Sequence, residues 1–334
     1  MKSPLFVLIA ISLALMSSGC GGDGEQAGSK VRVAYVTNGI DPFWTIAAKG
    51  AQKAAAELGV GVDIQMPAEG VGDQKRIVQN LLTRGIDGIA ISPIDPDNQT
   101  DLLDEAAAQT NLITHDSDAP ASKRLCFVGI DNYQAGRLCG QLIAAALPDG
   151  GDIMLFVGRL EQLNARQRRQ GLIDELMGRD PDPTRHDPNS GPIKGEKYTI
   201  LDTRTDQFDY AKAKAQVEDA IAKYPELDCV VGLFAYNPPN CLEAAKGAGK
   251  TGRIKIVGFD EAKETLQGIV DGHIFGTVVQ NPYRYGYDSV RILAGLARND
   301  RSVLPKDGFL NVPARRITAA NVESFWTELK QLTQ

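Results

Sequence analysis

The chain has 334 residues, of which 43% are apolar and 23% are charged, so it is long enough for two globular lobes of ordinary soluble composition. Its formal net charge of −6 and the lack of a basic stripe argue against nucleic-acid binding. The three histidines, His115, His186 and His273, are far apart in sequence, which argues against a histidine-rich metal site. No metal or cofactor is predicted.

The first twenty residues have the pattern of an export signal. Lys2 precedes an apolar run at residues 5–16 that is too short to span a bilayer as a helix. Small residues then lead to Cys20, as in a bacterial lipobox, although Ser17 stands where such boxes usually have leucine. We therefore expect lipidation of Cys20, with cleavage of a plain signal peptide nearby as the alternative. Residues 21–30 are predicted to be a flexible tether.

The first half of the remaining chain alternates short apolar strands with helices. Strands are predicted at residues 31–37, 62–66, 87–93, 111–116 and 125–131, and helices at residues 43–59, 73–84 and 98–109. This alternation is typical of a parallel sheet that is covered by helices on both faces.

The same alternation returns in the second half without a repeat of the sequence itself. Helices are predicted at residues 132–147, 164–177 and 209–223, and a further helix is predicted to end at about residue 247. Strands are predicted at residues 152–158, 198–203, 228–235 and 253–260. The predicted fold class is therefore α/β, with two doubly wound parallel-sheet lobes.

Residues 178–197 are rich in proline, glycine and aspartate and are predicted to form a surface loop. Asp180, Asp182 and Asp187 in this loop are candidate calcium ligands, but their spacing is not that of an EF-hand, so a solvated loop is favoured.

Four cysteines follow the leader: Cys126, Cys139, Cys229 and Cys241. An even count in an exported chain permits disulfides, whereas buried free thiols suit a chain of this size equally well. The sequence leaves their pairing open.

Polar and aromatic side chains follow the predicted strands, at the edge where open α/β sheets bind ligands. The candidates are Asp41, Phe43, Trp44, Ser92, Asp116, Ser117, Arg166, Phe208, Asn237, Asp260 and Gln280. Hydrogen-bonding groups beside flat rings suit a sugar, which presents both hydroxyl groups and C–H faces. A single cation, Arg166, argues against a polyanion. Each candidate also has a structural interpretation, because the polar groups could cap helices or bond loop backbone and the rings could pack in the core.

These residues, in this order, resemble the periplasmic ribose-binding protein family, whose members serve sugar ABC importers. The resemblance covers about residues 31–312 and is carried by stretches such as DPFW, ITHDSD, NARQRRQG, FDYAKAKA and IKIVGFDE. It implies the type I periplasmic binding protein fold, with three hinge strands that cross between the lobes near residues 131–132, 280–281 and 309–310. Lobe 1 would then contain residues 31–131 and 281–309, and lobe 2 residues 132–280 and 310–334.

The resemblance also implies roles for the candidates. Phe43 and Trp44 would contact one face of the sugar and Phe208 the other, and the hydroxyl groups would be bonded by Asp116, Arg166, Asn237, Asp260 and Gln280, with further contacts from Asp41 and Ser92. The chain departs from the family pattern in two places. Ser117 replaces a common arginine and Asp41 a common asparagine, which argues against ribose itself as the ligand.

The expected function is that of a binding protein, not an enzyme. It would capture a monosaccharide (a pentose, a hexose or a related polyol) between its lobes and deliver it to the membrane permease of an ABC importer. A lipid anchor at Cys20 would hold it to a membrane in the periplasm or cell envelope. The alternative is a ligand-sensing lipoprotein that reports sugar to a membrane kinase or chemoreceptor. A transcriptional repressor of the same fold is not favoured, because the export signal stands where a helix-turn-helix would be.

Overall fold

The computed structural model describes residues 30–333. The predicted leader, Cys20 and nearly all of the predicted tether lie outside the described residues. None of the helices in residues 30–333 has the length and apolar character needed to cross a bilayer.

The first sheet, as far as the structure describes the chain, has six strands in the order β12-β5-β4-β3-β1-β2, and every neighbouring pair is parallel. The strands are β1 (Arg32–Val36), β2 (Gly61–Gln65), β3 (Gly88–Ile91), β4 (Asn111–His115), β5 (Phe127–Gly129) and β12 (Phe309–Asn311). All residues of β3 and β5 are buried, as expected for parallel strands that are covered on both faces.

The second sheet has seven strands within the described range, in the order β13-β11-β10-β9-β6-β8-β7. They are β6 (Gly151–Val157), β7 (Ile193–Lys194), β8 (Tyr198–Thr205), β9 (Cys229–Gly232), β10 (Lys255–Phe259), β11 (Gly276–Val279) and β13 (Arg315–Thr318). The two edge strands, β13 and β7, pair antiparallel and the inner strands pair parallel.

Helices cover both sheets: α1 (Pro42–Leu58), α2 (Val71–Thr83), α3 (Pro96–Gln109), α4 (Asn132–Ala146), α5 (Leu163–Leu176), α6 (Tyr210–Lys223), α7 (Asn237–Gly247), α8 (Lys263–Val270), α9 (Pro282–Ala297) and α10 (Val322–Thr333). We call the first sheet with α1, α2, α3 and α9 the first lobe, and the second sheet with the other helices the second lobe. The predicted fold class, with two parallel-sheet α/β lobes, is confirmed.

The chain passes between the lobes at three places. It passes from β5 into α4, and from β11 into α9, which packs on α1 in the first lobe. The third passage lies between Asn311 and Arg315, because residues 309–311 pair with β5 and residues 315–318 pair with β11. The crossover expected at 309–310 is therefore a few residues too early.

Glycines allow two close helix crossings, one in each lobe. A Cβ atom on Gly50 of α1 would lie 1.9 Å from the Tyr283 carbonyl oxygen of α9. A Cβ atom on Gly136 of α4 would lie 2.1 Å from the Arg168 carbonyl oxygen of α5. The second crossing fixes the position of α5 and therefore of the side chains that it directs towards the first lobe.

The four cysteines that follow the leader are all buried and free. In the loop at residues 178–197, Asp187 accepts a hydrogen bond from Gln170 at 2.7 Å and pairs with Arg179 at 2.6 Å. Nowhere in residues 30–333 are three or more acidic, cysteine or histidine side chains grouped to hold a metal ion. The carboxylates of Asp182, which accepts from the Thr184 hydroxyl at 2.6 Å, and Asp187 thus bond protein groups.

Candidate functional site

A cavity lies between the lobes, at the carboxyl ends of the strands. Its lining contains seven of the predicted site residues: Asp41, Phe43, Trp44, Asp116, Phe208, Asp260 and Gln280. It also contains seven residues that were not among the candidates: Asn38, Gln162, Asn164, Arg168, Phe234, Ala235 and Tyr236. Both lobes contribute side chains, so the cavity exists only while they are together.

One wall is aromatic and belongs to the first turn of α1. Asp41 caps this helix, because its Oδ1 accepts a hydrogen bond from the Phe43 backbone N–H at 2.8 Å, and Pro42 occupies the first helical position. The rings of Phe43 and Trp44 meet edge to face, with centroids 4.8 Å apart. Asp41 is therefore both a structural cap and a lining residue.

The opposite wall is also aromatic and belongs to the second lobe. Phe208 stacks on Phe234 with centroids 5.6 Å apart and an interplanar angle of 8°. The guanidinium carbon of Arg159 lies 5.0 Å from the centroid of the Phe208 ring. Phe208 has a φ of 65°, a left-handed conformation that is uncommon for a bulky residue. The two rings give the cavity a second flat surface.

Asp116 is the central acceptor of the first lobe. It follows β4 with a φ of 57°, a left-handed conformation that aspartate adopts more readily than most residues, and it lines the cavity. Its Oδ2 accepts hydrogen bonds from Ser92 at 3.0 Å, Asn164 at 3.2 Å and Asn38 at 3.3 Å. Burial raises the pKa of this carboxyl, and the Arg168 guanidinium opposes the shift.

Arg168 lies between the carboxylates of the two lobes. Its guanidinium nitrogens are 3.8 Å from Asp116 and 3.9 Å from Asp260, and the residue is 1% exposed. Its Nε donates to Asn132 at 2.9 Å and its Nη1 to the Leu233 carbonyl at 3.1 Å. These bonds fix the guanidinium plane, so a donor is held where both lobes meet.

Asp260 is the corresponding acceptor of the second lobe. It follows β10 with a φ of 68°, the same left-handed conformation as Asp116 after β4. Its Oδ1 accepts a hydrogen bond from Gln280 at 2.7 Å, and Gln280 in turn accepts one from Tyr285 at 2.9 Å. Burial raises the pKa of Asp260 to about 6, although Arg168 lowers it.

The prediction placed the ligand-binding guanidinium at Arg166, but the arginine of this helix that lines the cavity is Arg168. Arg166 donates to the Glu161 carbonyl at 2.9 Å and pairs with Asp97 at 3.1 Å, and it does not line the cavity. Residues two apart on a helix differ by about 200° around its axis, so the two side chains point in nearly opposite directions.

Three other candidates lie near the cavity but do not line it. Ser92 is fully buried and supports Asp116 through its hydroxyl group. Asn237 donates to Asp206 at 3.0 Å and accepts from the Phe234 backbone N–H at 3.1 Å. Ser117 is fully buried. Ser92 and Asn237 position side chains or backbone of the site.

Direct contacts join the lobes beside the cavity. Asn164 of the second lobe bonds Asp116 of the first, and Arg166 pairs with Asp97 across the same boundary. The Tyr210 hydroxyl donates to Asp41, and its ring stacks on Tyr236 with centroids 4.7 Å apart. The lobes are therefore in a closed arrangement.

The comparison with known families agrees with this architecture. The profile described as "Periplasmic binding protein domain" matches residues 31–301. The chain belongs to the periplasmic binding protein family. Membership implies an exported, periplasmic protein whose family role is binding and transport. The resemblance to ribose-binding proteins is also confirmed by the relatives.

Relatives of this binding protein include two curated proteins and a solved structure. The ribose import binding protein of Bacillus subtilis is 25% identical over 297 residues, which cover 86% of this chain and 90% of the relative. The xylitol-binding protein of Mycolicibacterium smegmatis is 25% identical over 300 residues, which cover 89% of this chain and 79% of the relative. The solute-binding protein of Burkholderia graminis, solved with D-arabinose, superposes with a TM-score of 0.80 at 25% identity, covering 89% of this chain and 98% of that one.

Proposed function

We propose that this protein captures one monosaccharide in the cavity between its lobes and delivers it to the permease of an ABC importer. The observation that carries the proposal is the position of Arg168 between Asp116 and Asp260, with aromatic rings on two sides of the same cavity. Carboxylates and a guanidinium bond hydroxyl groups, and flat rings pack on the C–H faces of a sugar ring.

The relatives support a small polyhydroxylated ligand. One is named for ribose import and another for xylitol, and a third was solved with D-arabinose. The import names of curated relatives favour transport over the sensing alternative. Most polar side chains of the cavity, such as Asp116, Asp260 and Gln280, have protein hydrogen-bonding partners, and we assign the polar lining to binding without bond-breaking chemistry.

In the proposed mechanism the sugar binds to one open lobe, and the other lobe closes over it through the three crossing segments. Closure removes water from the cavity, so hydrogen bonds to Asp260 and Arg168 each contribute about 1.5–3 kcal/mol. Phe43 and Trp44 cover one face of the sugar and Phe208 the other. Release to the permease requires that these interlobe contacts break.

We also propose that the protein is anchored by lipid at Cys20. The support is the sequence of the leader, in which small residues follow the apolar run and precede this cysteine. Residues 21–30 would tether the two lobes to the membrane. Labelling with a palmitate analogue tests this, and loss of the label in Cys20→Ala is expected; a soluble, unlabelled mature protein would indicate a plain signal peptide.

A thermal-shift screen tests the binding function. The probes are D-ribose, D-arabinose, D-allose and xylitol within a wider panel of pentoses, hexoses and polyols. We expect at least one probe to raise the unfolding temperature of the wild-type protein, and Asp260→Ala to abolish or reduce that rise. If no member of the panel shifts the wild-type protein, the proposed function is wrong.

A further inference from the structure

Most polar side chains of the cavity already have protein partners. The Asn38 amide donates to Ser92 and Asp116. The Gln280 amide donates to Asp260 and accepts from Tyr285. These groups are held in place by the protein, so they define the cavity whether or not it is occupied.

Gln162 is the exception. It is fully buried, and neither its Nε2 nor its Oε1 has a hydrogen-bond partner among residues 30–333. One other buried side-chain polar atom of the cavity lining has no hydrogen-bond partner among residues 30–333. It is Nη2 of Arg168. An unpartnered buried polar group is destabilising, so a whole amide without partners needs an explanation.

Helix capping does not account for the unpartnered side-chain amide of Gln162. Gln162 occupies the N-cap position of α5, but its side chain accepts no hydrogen bond from the helix N–H groups. Glutamine is also not among the residues that cap helices well. Its backbone carbonyl alone serves the helix, by accepting from the Arg166 N–H at 3.2 Å. The amide is thus left for whatever fills the cavity.

We propose that Gln162 is a specificity-determining residue, whose amide bonds two neighbouring hydroxyl groups of the bound sugar. This inference rests on the proposed function. The amide offers one donor and one acceptor side by side, and a pair of adjacent hydroxyl groups can accept from the first and donate to the second. A sugar that lacks either hydroxyl leaves half of the buried amide without a partner, so the cavity discriminates against it.

The experiment compares Gln162→Met with the wild-type protein by isothermal titration calorimetry. The probes are D-ribose, D-arabinose and D-allose, each with its 2-deoxy and 3-deoxy analogues. Methionine has a similar length without hydrogen-bonding groups. The matched control is Gln99→Met, because Gln99 is also buried but both polar atoms of its amide have protein partners: Nε2 donates to Gln74 at 2.9 Å and Oε1 accepts from the Asp95 N–H at 2.8 Å.

We expect Gln162→Met to weaken binding of the parent sugar about tenfold to a hundredfold, with an unfolding temperature without sugar equal to or above that of the wild type. We expect Gln99→Met to lower the unfolding temperature and to leave affinity unchanged. For at least one deoxy analogue, the wild-type protein should lose about tenfold in affinity relative to the parent sugar, and Gln162→Met should lose less than threefold.

Two results would overturn the inference while leaving the proposed function intact. One is parent-sugar affinity in Gln162→Met within twofold of the wild type. The other is the same deoxy penalty in both proteins. If Gln162→Met does not fold, Gln162→Asn is used, since it keeps the amide but withdraws it by one methylene, and the same loss is expected. If the wild-type protein binds no sugar in the panel, the proposed function and this inference both fail.

Discussion

The hydroxyl group of Tyr210 donates a hydrogen bond to Asp41 Oδ2 at 2.9 Å and so connects the first residue of α6 in the second lobe with the cap of α1 in the first. Tyr210 is 46% exposed as a whole residue, so this bond lies at the outer edge of the cavity. Both residues also line a larger outer groove that adjoins the cavity. The bond therefore links lobe closure to the sealing of the binding site.

Removing this bond should make the closed form less stable. We expect Tyr210→Phe to weaken sugar binding about threefold to thirtyfold, mainly through faster dissociation, with the unfolding temperature of the sugar-free protein unchanged. Stopped-flow fluorescence with the best probe of the panel measures this. Tyr287→Phe is the control, since the Tyr287 hydroxyl also bonds a carboxylate, Glu57 at 2.6 Å, but both residues belong to the first lobe. Equal effects of the two variants would remove the interlobe role.

Two of the arginines of α5, Arg166 and Arg168, are predicted to differ sharply in their effect on sugar binding. Arg168→Met should weaken sugar binding by more than a hundredfold and lower the unfolding temperature, because it leaves Asp116 and Asp260 buried without their shared guanidinium. Arg166→Met should change affinity less than tenfold, since the Arg166–Asp97 pair is partly exposed. Calorimetric titration of both variants decides the matter; a larger effect at Arg166 would restore the sequence-based assignment.

The close crossing of α4 and α5 should be intolerant of added volume. Gly136→Ala places a methyl group 2.1 Å from the Arg168 carbonyl oxygen and should cost about 1–3 kcal/mol or more in the free energy of unfolding. Gly247→Ala is the control, because nothing lies within 4 Å of a Cβ atom there and alanine favours the helix. Chemical denaturation measures both, and a Gly136→Ala protein as stable as the control would contradict the crossing geometry.

Asp260 should make the stability of the closed fold depend on pH. Its folded-state pKa is raised to about 6, above the ordinary value of 3.8, so the folded protein binds more protons than the unfolded chain between these values. Its contribution to stability is therefore present at about pH 4 and is lost as the pH rises through 6. Buried His115, whose pKa burial lowers to about 3, contributes in the opposite direction.

The difference between proteins removes the contribution of His115 and reports Asp260 together with its effect on the neighbouring Glu261, whose pKa is raised by burial and by the Asp260 charge. Because His115 is common to both, the free energy of unfolding of Asp260→Asn minus that of the wild type should rise between pH 4 and pH 7. Urea denaturation at several pH values gives this difference. A difference that stays constant across that range would show that the Asp260 carboxyl does not have a raised pKa.

The sequence predicted much of the site because strand ends are strong signals. Strands followed by Asp116 and Asp260 were visible as short apolar runs, and the carboxyl ends of parallel strands must meet at one edge of a sheet. The aromatic pair after Asp41 was visible for the same reason. Ser92 was predicted to contact the ligand, whereas in the structure it does not line the cavity and donates to Asp116, a bond that depends on side-chain geometry that no pattern encodes.

The difference between the predicted Arg166 and the lining residue Arg168 has a physical cause. In helix α5, Arg168 and Arg169 are buried. Charged residues therefore do not identify the exposed face of this helix, and the usual amphipathic pattern does not predict which of its arginines faces the cavity. Gln162 was missed because it precedes the helix and has no motif. By contrast, α10 could have been predicted, since Val322, Phe325 and Leu329 repeat at helical spacing.

The most direct test of the central claim is a fluorescence titration of Trp326→Phe, in which Trp44 is the remaining tryptophan. Trp326 lies on α10, in the outer groove and not in the cavity. If one sugar occupies the cavity between the lobes, the sugar that raises the unfolding temperature should change Trp44 emission in a saturable manner with one site per protein, and Arg168→Met should abolish the change at the same sugar concentration. If that sugar stabilises the protein but leaves Trp44 emission unchanged, it binds elsewhere and the account is wrong.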